Sequence, residues 1–185
     1  PTNTGTGMRA SVMVHLPSLV ITKQINKVLH TITKLGLTAR GLFGEGTEAS
    51  GNFFQISNQV SLGRTEEELI ENIERILKQV IDHEQTARDG LMTGNRTQLE
   101  DRVWRAYGIL KHAYTMSSGE TLDLLSAVRL GVDLKLMNGL NRTIVNELFL
   151  FSQPAHLQKL EGKPLSAKER DVKRAELIRR RLGEN

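Results

Sequence analysis

Apolar positions along the chain begin with a β-rich run. Met8 to Leu16 is dense in β-forming residues and stops at Pro17, which predicts a strand. From Leu19 to Leu35 the spacing changes. Leu19/Val20, Ile25, Val28/Leu29 and Ile32 recur at helical intervals, and Gly36 closes the segment. Two short extended pieces are expected near Leu37–Phe43 and Asn52–Asn58, punctuated by Gly41, Gly44, Gly46 and Gly51. Thr65, with Glu68 three residues on, forms a capping-box pattern. It predicts the start of a long amphipathic helix carrying Leu69, Ile73, Ile76/Leu77 and Val80/Ile81.

Beyond about residue 92 the strand pattern disappears. Helices are expected near Gln98–His112, Gly119–Met137, Thr143–Phe151 and Ala167–Leu182. Gly94-Asn95, Ser117-Ser118-Gly119 and Gly139-Leu140-Asn141 mark the breaks between them. The pattern thus predicts an α+β piece over residues 1–92 and an all-helical piece over 93–185.

Composition narrows the class. The chain is 38% apolar and 25% charged, and no apolar run approaches the roughly 20 residues that span a bilayer. Neither a membrane span nor a signal peptide is expected. With no cysteine there are no disulfides and no thiolate metal sites, which fits a reducing cytoplasm. From Lys163 onward there are eight basic and four acidic residues, which matches the net charge of +4 for the whole chain. Such a tail serves an anionic partner or forms a solvated helix face. Its interrupting acids and lack of aromatic residues argue against nucleic acid as the ligand.

Three segments bear chemistry. Gly5 to Ser11 leaves backbone amides open beside Arg9, whose planar fork suits phosphate. It lacks the Gly-Lys-Ser/Thr of a phosphate loop, and serves equally as a tight turn entering a strand. Arg40-Gly41-Leu42-Phe43-Gly44-Glu45 places an arginine and a carboxylate five residues apart in a glycine-rich loop. An arginine there can neutralise a phosphoryl group in transfer, and a carboxylate can grip a guanidinium. The same loop also reads as an exposed hairpin with a surface ion pair. Arg170 and Arg174 stand one helical turn apart in Arg170-Asp171-Val172-Lys173-Arg174-Ala175, a spacing that fits either a phosphate clamp or a solvated basic helix. The five histidines show no metal-ligand spacing, and no metal site is expected among them. Trp104 and Tyr107 read as part of a packing stripe.

Taken in order, these segments resemble the phosphagen (guanidino) kinase family. Pro1 to Gly7 is similar to its signature, which normally begins with a cysteine just before this proline. Arg9-Ala10-Ser11-Val12-Met13 resembles its ATP-phosphate strand, although many animal members carry histidine where Met13 stands. Arg40 through Glu45, Thr47-Glu48 and Ile56-Ser57-Asn58 continue the likeness. The helical extension and its Arg-Asp-x-x-Arg-Ala motif resemble the bacterial protein-arginine kinases of that family.

The resemblance implies a catalytic domain with an antiparallel sheet flanked by helices, only part of it lying in this chain, followed by a helical regulatory and dimerisation domain. It implies ATP with Mg²⁺, bound through Arg9–Met13 and Arg40–Glu45, and Glu45 as the catalytic grip on the substrate guanidinium. It implies a phosphoarginine pocket at Arg170–Ala175. It further implies protein substrates with exposed arginines, handover to a Clp protease ATPase, an activator protein and a homodimer. A second carboxylate and further arginines would come from an upstream half, so this chain alone would have little or no activity. Two other readings are a phosphoarginine-binding adaptor without catalysis and a kinase of free arginine.

Overall fold

The β-formers before Pro17 fold as β1, Ser11–His15, in a computed structural model that describes residues 5–41 and 49–183. With β2 (Leu37–Gly41) and β3 (Phe53–Asn58) they make an antiparallel sheet in the order β1-β3-β2. The fold is α+β. Val12, Ile56 and Ala39 form one cross-strand row, and Ser11, Ser57 and Thr38 form the next. Side chains alternate across a strand. Phe54 and Ile56 therefore point into the core with Val14, Ala39 and Leu37. Gln55 and Ser57 point the other way.

Helices cover the core face. Leu19 to Leu35 forms two helices rather than the one that the periodicity predicts: α1 (Pro17–Ile21) and α2 (Ile25–Lys34). Lys23 takes a left-handed φ of 59°. The Gln24 amide donates to the Leu19 carbonyl at 2.8 Å and the Lys23 amide to Val20 at 3.0 Å, closing α1 with a Schellman turn. Lysine stands where glycine usually marks this turn, and both helices face the same core. The apolar rhythm therefore runs on through the break.

The long helix α3 spans Glu66–Gly94. Its capping box forms as predicted: the Thr65 amide donates to Glu68 Oε2 at 2.9 Å, and the Glu68 amide to Thr65 Oγ1 at 3.2 Å. Leu69, Ile73, Ile76, Leu77 and Val80 are buried, whereas Ile81 is 56% exposed and lies off the stripe. One turn beyond Val80, the buried stripe carries a carboxylate. The Ser18 and Leu19 amides donate to Glu84 Oε1 and Oε2 at 3.1 and 3.0 Å, and Arg88 Nε donates to Oε1 at 2.9 Å. Glu84 thus satisfies the free amides at the start of α1 and holds that helix against α3.

These elements make up the first compact unit, Pro1–Gly94; the second is Asn95–Asn185. It contains α4 (Arg96–His112), α5 (Ser118–Asp133), α6 (Arg142–Phe151), α7 (Pro154–Glu161) and α8 (Ala167–Gly183). Leu99, Val103, Ala106 and Leu110 line the buried side of α4. Trp104 is off that stripe, about half exposed, with its ring edge-on to Tyr107. Gly131 of α5 lies so close to α4 that a Cβ there would sit 2.3 Å from Val103 Cγ1. Two of the predicted breaks are caps: Ser117 Oγ accepts from the Glu120 amide at 3.2 Å, and Asn141 Oδ1 from the Thr143 amide at 2.8 Å. The short α7 is an addition to the predicted pattern. Pro154 at its first turn and Gly162 just after it, at φ 68°, are the signals that mark it. Among the described residues no helix is long and apolar enough to cross a membrane.

Glu84→Ala should lower the stability of the first unit by about 3 kcal/mol, because it strands two buried amides and removes the ion pair with Arg88. Chemical denaturation measures this; a loss under about 1 kcal/mol would show that water reaches the amides instead.

Candidate functional site

Strand alternation decides which candidate residues share a surface in the first unit. Ser11 and Met13 of β1, Gln55 and Ser57 of β3 and Thr38 and Arg40 of β2 all lie on the sheet face opposite the core. Met13, Gln55 and Arg40 form one row across the three strands, and Ser11, Ser57 and Thr38 the adjacent row. Arg9, two residues before Ser11, reaches the same face: its Nη2 donates to Ser57 Oγ at 3.3 Å. Gln55 Nε2 donates to Ser11 Oγ at 3.2 Å. Arg40 is exposed and Met13 is 46% exposed. This surface carries two guanidinium groups, hydroxyls, a carboxamide and one thioether. It can bind an anion and offer a flat apolar contact beside it.

Not every residue of the two predicted nucleotide segments lies there. Ala10 packs against the core, and Val12 shares the core-side row of Ile56. Gly41 pairs with Phe54 at the end of β2. Leu42, Phe43, Gly44 and Glu45 lie outside the described residues.

Gly5, at φ 99°, runs so close to the chain after β3 that a Cβ would stand 2.5 Å from the Ser61 carbonyl oxygen. Only glycine permits that approach. Asn58 holds the next stretch. The Ala10 amide donates to Asn58 Oδ1 at 2.8 Å, and Asn58 Nδ2 donates to the Met8 carbonyl at 3.0 Å. Gln55, Ser57 and Asn58 are not among the residues that residue type alone marks as candidates. The alternation of β3 is the signal that places the first two.

In the second unit the basic motif lies at the start of α8. Ser166 and Glu169 cap it reciprocally. The Ser166 hydroxyl and then its backbone amide, both donating to Glu169, hold that carboxyl below the usual range. Arg170 is half-buried, with Nη1 donating to the Leu165 carbonyl at 2.8 Å. Arg174 is only 1% exposed. Its Nε donates to the Ser152 carbonyl at 2.9 Å, and its Nη1 to the Met116 carbonyl at 2.7 Å and to Asp171 Oδ1 at 2.6 Å. The two arginines therefore do not present matching forks at the surface. Arg174 fastens α8 to the ends of two neighbouring segments, and Arg170 is the member of the pair with access to solvent. Asp171 also accepts from the Met116 amide through its backbone carbonyl, at 3.2 Å. Lys173 lies between Glu176 and Glu161, at 3.0 and 3.5 Å. Its hydrogen bond to Glu176 and the two acidic charges hold the ammonium above its ordinary range. Val172 is about half exposed and Ala175 is buried.

Arg174→Ala should destabilise the second unit by about 3–5 kcal/mol, since it removes a buried charge and leaves carbonyls unpaired. Arg170→Ala, which loses one partly exposed hydrogen bond, should cost about 1 kcal/mol or less. Thermal unfolding of the two variants compares them; equal losses would refute the division of labour.

Known proteins resemble the chain along nearly all of its length. Residues 1–87 match the family model described as ATP:guanido phosphotransferase, C-terminal catalytic domain. Residues 96–185 match that of the protein-arginine kinase McsB C-terminal domain. A protein-arginine kinase of Desulforamulus reducens is 57% identical over 182 residues, covering 98% of this chain and 51% of that protein. One from Halothermothrix orenii is 53% identical, covering 98% and 52%. One from Bacillus subtilis is 50% identical, covering 98% and 50%. The chain spans about half the length of the curated relatives it matches.

Proposed function

The chain belongs to the ATP:guanido phosphotransferase family, and from that premise we propose that it forms part of a protein-arginine kinase. The observation that carries this reading is the placement of Arg9 and Arg40 on the sheet face opposite the core, beside Ser57 and Met13. Two fixed cations there suit the phosphates of ATP, and the exposed Met13 suits the flat adenine base. The match to the protein-arginine kinase C-terminal domain points to arginine in proteins as the acceptor.

The reaction breaks the bond between the γ-phosphorus and its bridging oxygen and forms a phosphorus–nitrogen bond at the arginine side chain. One proton leaves the guanidinium, and ADP is the leaving group. An arginine guanidinium is a poor nucleophile, because its charge is delocalised and its pKa exceeds about 12. Alignment and a carboxylate that holds the guanidinium and takes the proton are therefore needed. Glu45 is the proposed carboxylate. Arg9 and Arg40 neutralise the phosphates as charge shifts toward ADP. Mg²⁺ is proposed to arrive bound to the phosphates of ATP.

On this reading the 185 residues hold only part of the catalytic site, and the second unit regulates it. Arg170 is the surface guanidinium suited to a phosphoarginine signal. A Clp protease ATPase, an activator protein, a homodimer and a cytoplasmic setting complete the proposal.

The test uses the complete protein, ATP and an unfolded arginine-rich protein. Glu45→Ala should cut phosphoarginine formation by about 10²–10³-fold while ATP affinity stays within about threefold. Arg40→Ala should weaken both. Equal loss of turnover and nucleotide binding in Glu45→Ala would give that residue a structural role instead. Titrating free phosphoarginine against wild type and Arg170→Ala tests the regulatory half; affinity that survives the substitution removes that assignment.

A further inference from the structure

We propose, resting on the nucleotide reading of the open sheet face, that Asn58 is a positioning residue for the phosphate-binding Arg9, and that its side chain acts as a substitute for sheet backbone.

At its C-terminal end β3 parts from β1. The register that pairs Ser11 with Ser57 would, if continued, pair Ala10 with Asn58 and Met8 with Val60. The first of these pairs forms by half: the Asn58 amide donates to the Ala10 carbonyl at 3.3 Å. Beyond it the chain keeps to β2 and parts from β1: the Gln59 amide donates to the Gly36 carbonyl at 3.2 Å, continuing the register with β2, while Val60, 56% exposed, makes no backbone bond to Met8. Two backbone partners are thereby withdrawn from the chain entering β1. One is the carbonyl that would accept from the Ala10 amide. The other is the amide that would donate to the Met8 carbonyl.

The Asn58 side chain fills both roles. Its Oδ1 accepts from the Ala10 amide at 2.8 Å, and its Nδ2 donates to the Met8 carbonyl at 3.0 Å. A carboxamide is the side-chain equivalent of a peptide group and offers an acceptor and a donor on the same carbon. Aspartate at this position keeps the first bond and loses the second, and alanine loses both. The residue between these two rungs is Arg9. Extending the ladder by a side chain keeps Arg9 in strand geometry one step past the last backbone-paired residue. Alternation then aims it at the open face, where Ser57 Oγ accepts from Nη2 at 3.3 Å. Without the rungs, Arg9 would lie on an unpaired stretch of backbone whose freedom must be lost each time nucleotide binds.

The test is a double-mutant cycle on ATP affinity in the complete protein, with wild type, Asn58→Ala, Arg9→Ala and the double variant. Asn58→Ala should weaken ATP by about tenfold. In the Arg9→Ala background the same change should have no further effect, because its only route to the nucleotide is gone. Losses that multiply would overturn the proposal, as would wild-type affinity in Asn58→Ala. If Arg9→Ala alone leaves ATP binding unchanged, the nucleotide reading of that face fails and the proposal falls with it. Should Asn58→Ala not fold, Asn58→Asp takes its place in the cycle. It retains the Ala10 bond, and the same dependence on Arg9 is expected of it.

Discussion

The first unit depends on β3 being flanked on both sides. A central strand has no free edge, so its register with β1 and β2 sets which side chains face each way. Phe54 and Ile56 are drawn under the helices, at 1% and 0% exposure, and this leaves Gln55 and Ser57 on the other face. Their neighbours Ser11, Met13, Thr38 and Arg40 follow by pairing alone. A slip of one residue in either pairing would send Arg40 or Met13 into the core. The apolar face and the polar face are thus one constraint seen from two sides. Burial of the first, at roughly 25 cal/mol per Å² of apolar area, stabilises the geometry of the second.

Buried charge plays the same part in both units. Glu84 accepts from two amides at the start of α1, and Arg174 donates to two carbonyls at the ends of other segments. In each case one ionised side chain satisfies backbone groups that no helix or strand can satisfy, and so fixes a junction. Such groups are costly to remove and contribute little net stability while present. Their effect is to make one arrangement of segments much better than its neighbours. The partner in each helix, Arg88 or Asp171, lies within about one turn, so part of the desolvation cost is offset locally.

Periodicity reads the fold well wherever the whole signal lies within one segment. The capping box of α3 is local and forms as the residue pattern predicts, and the breaks predicted around Ser117 and Asn141 are local too, each resolving into a helix cap. The break at Lys23 leaves no trace, because a lysine occupies the left-handed position and the apolar spacing runs across it. Arg9 and Arg40 stand out as candidate anion ligands by residue type. That they share a face with Ser57 and Gln55 requires the register, which the sequence of one strand does not contain. Arg174 is the opposite case. Its spacing from Arg170 suggests a surface pair, but four residues advance a helix by about 40° past a full turn. That offset carries Arg174 to the packed edge of α8, where the Met116 and Ser152 carbonyls receive it.

The same burial changes the meaning of the basic tail. Eight cations and four acids from Lys163 onward look, as charge alone, like an anion-binding surface. Followed to their partners, the charges tell otherwise. Arg174 donates to the Met116 and Ser152 carbonyls, and Arg170 to Leu165. Arg179 donates to the Ala113 carbonyl and lies over the Tyr114 ring, and Arg181 pairs with Glu147. Lys173 is shared by Glu161 and Glu176. Arg170, Lys173, Arg174, Arg179 and Arg181 are therefore already engaged within the second unit, and a polyanion would have to displace those partners to reach them. A long charged ligand gains most from many cations that neutralise its phosphates together and release their counter-ions. A small anion needs only one guanidinium with room beside it. The half-buried Arg170, next to the capped start of α8, fits that requirement better than it fits a nucleic-acid track.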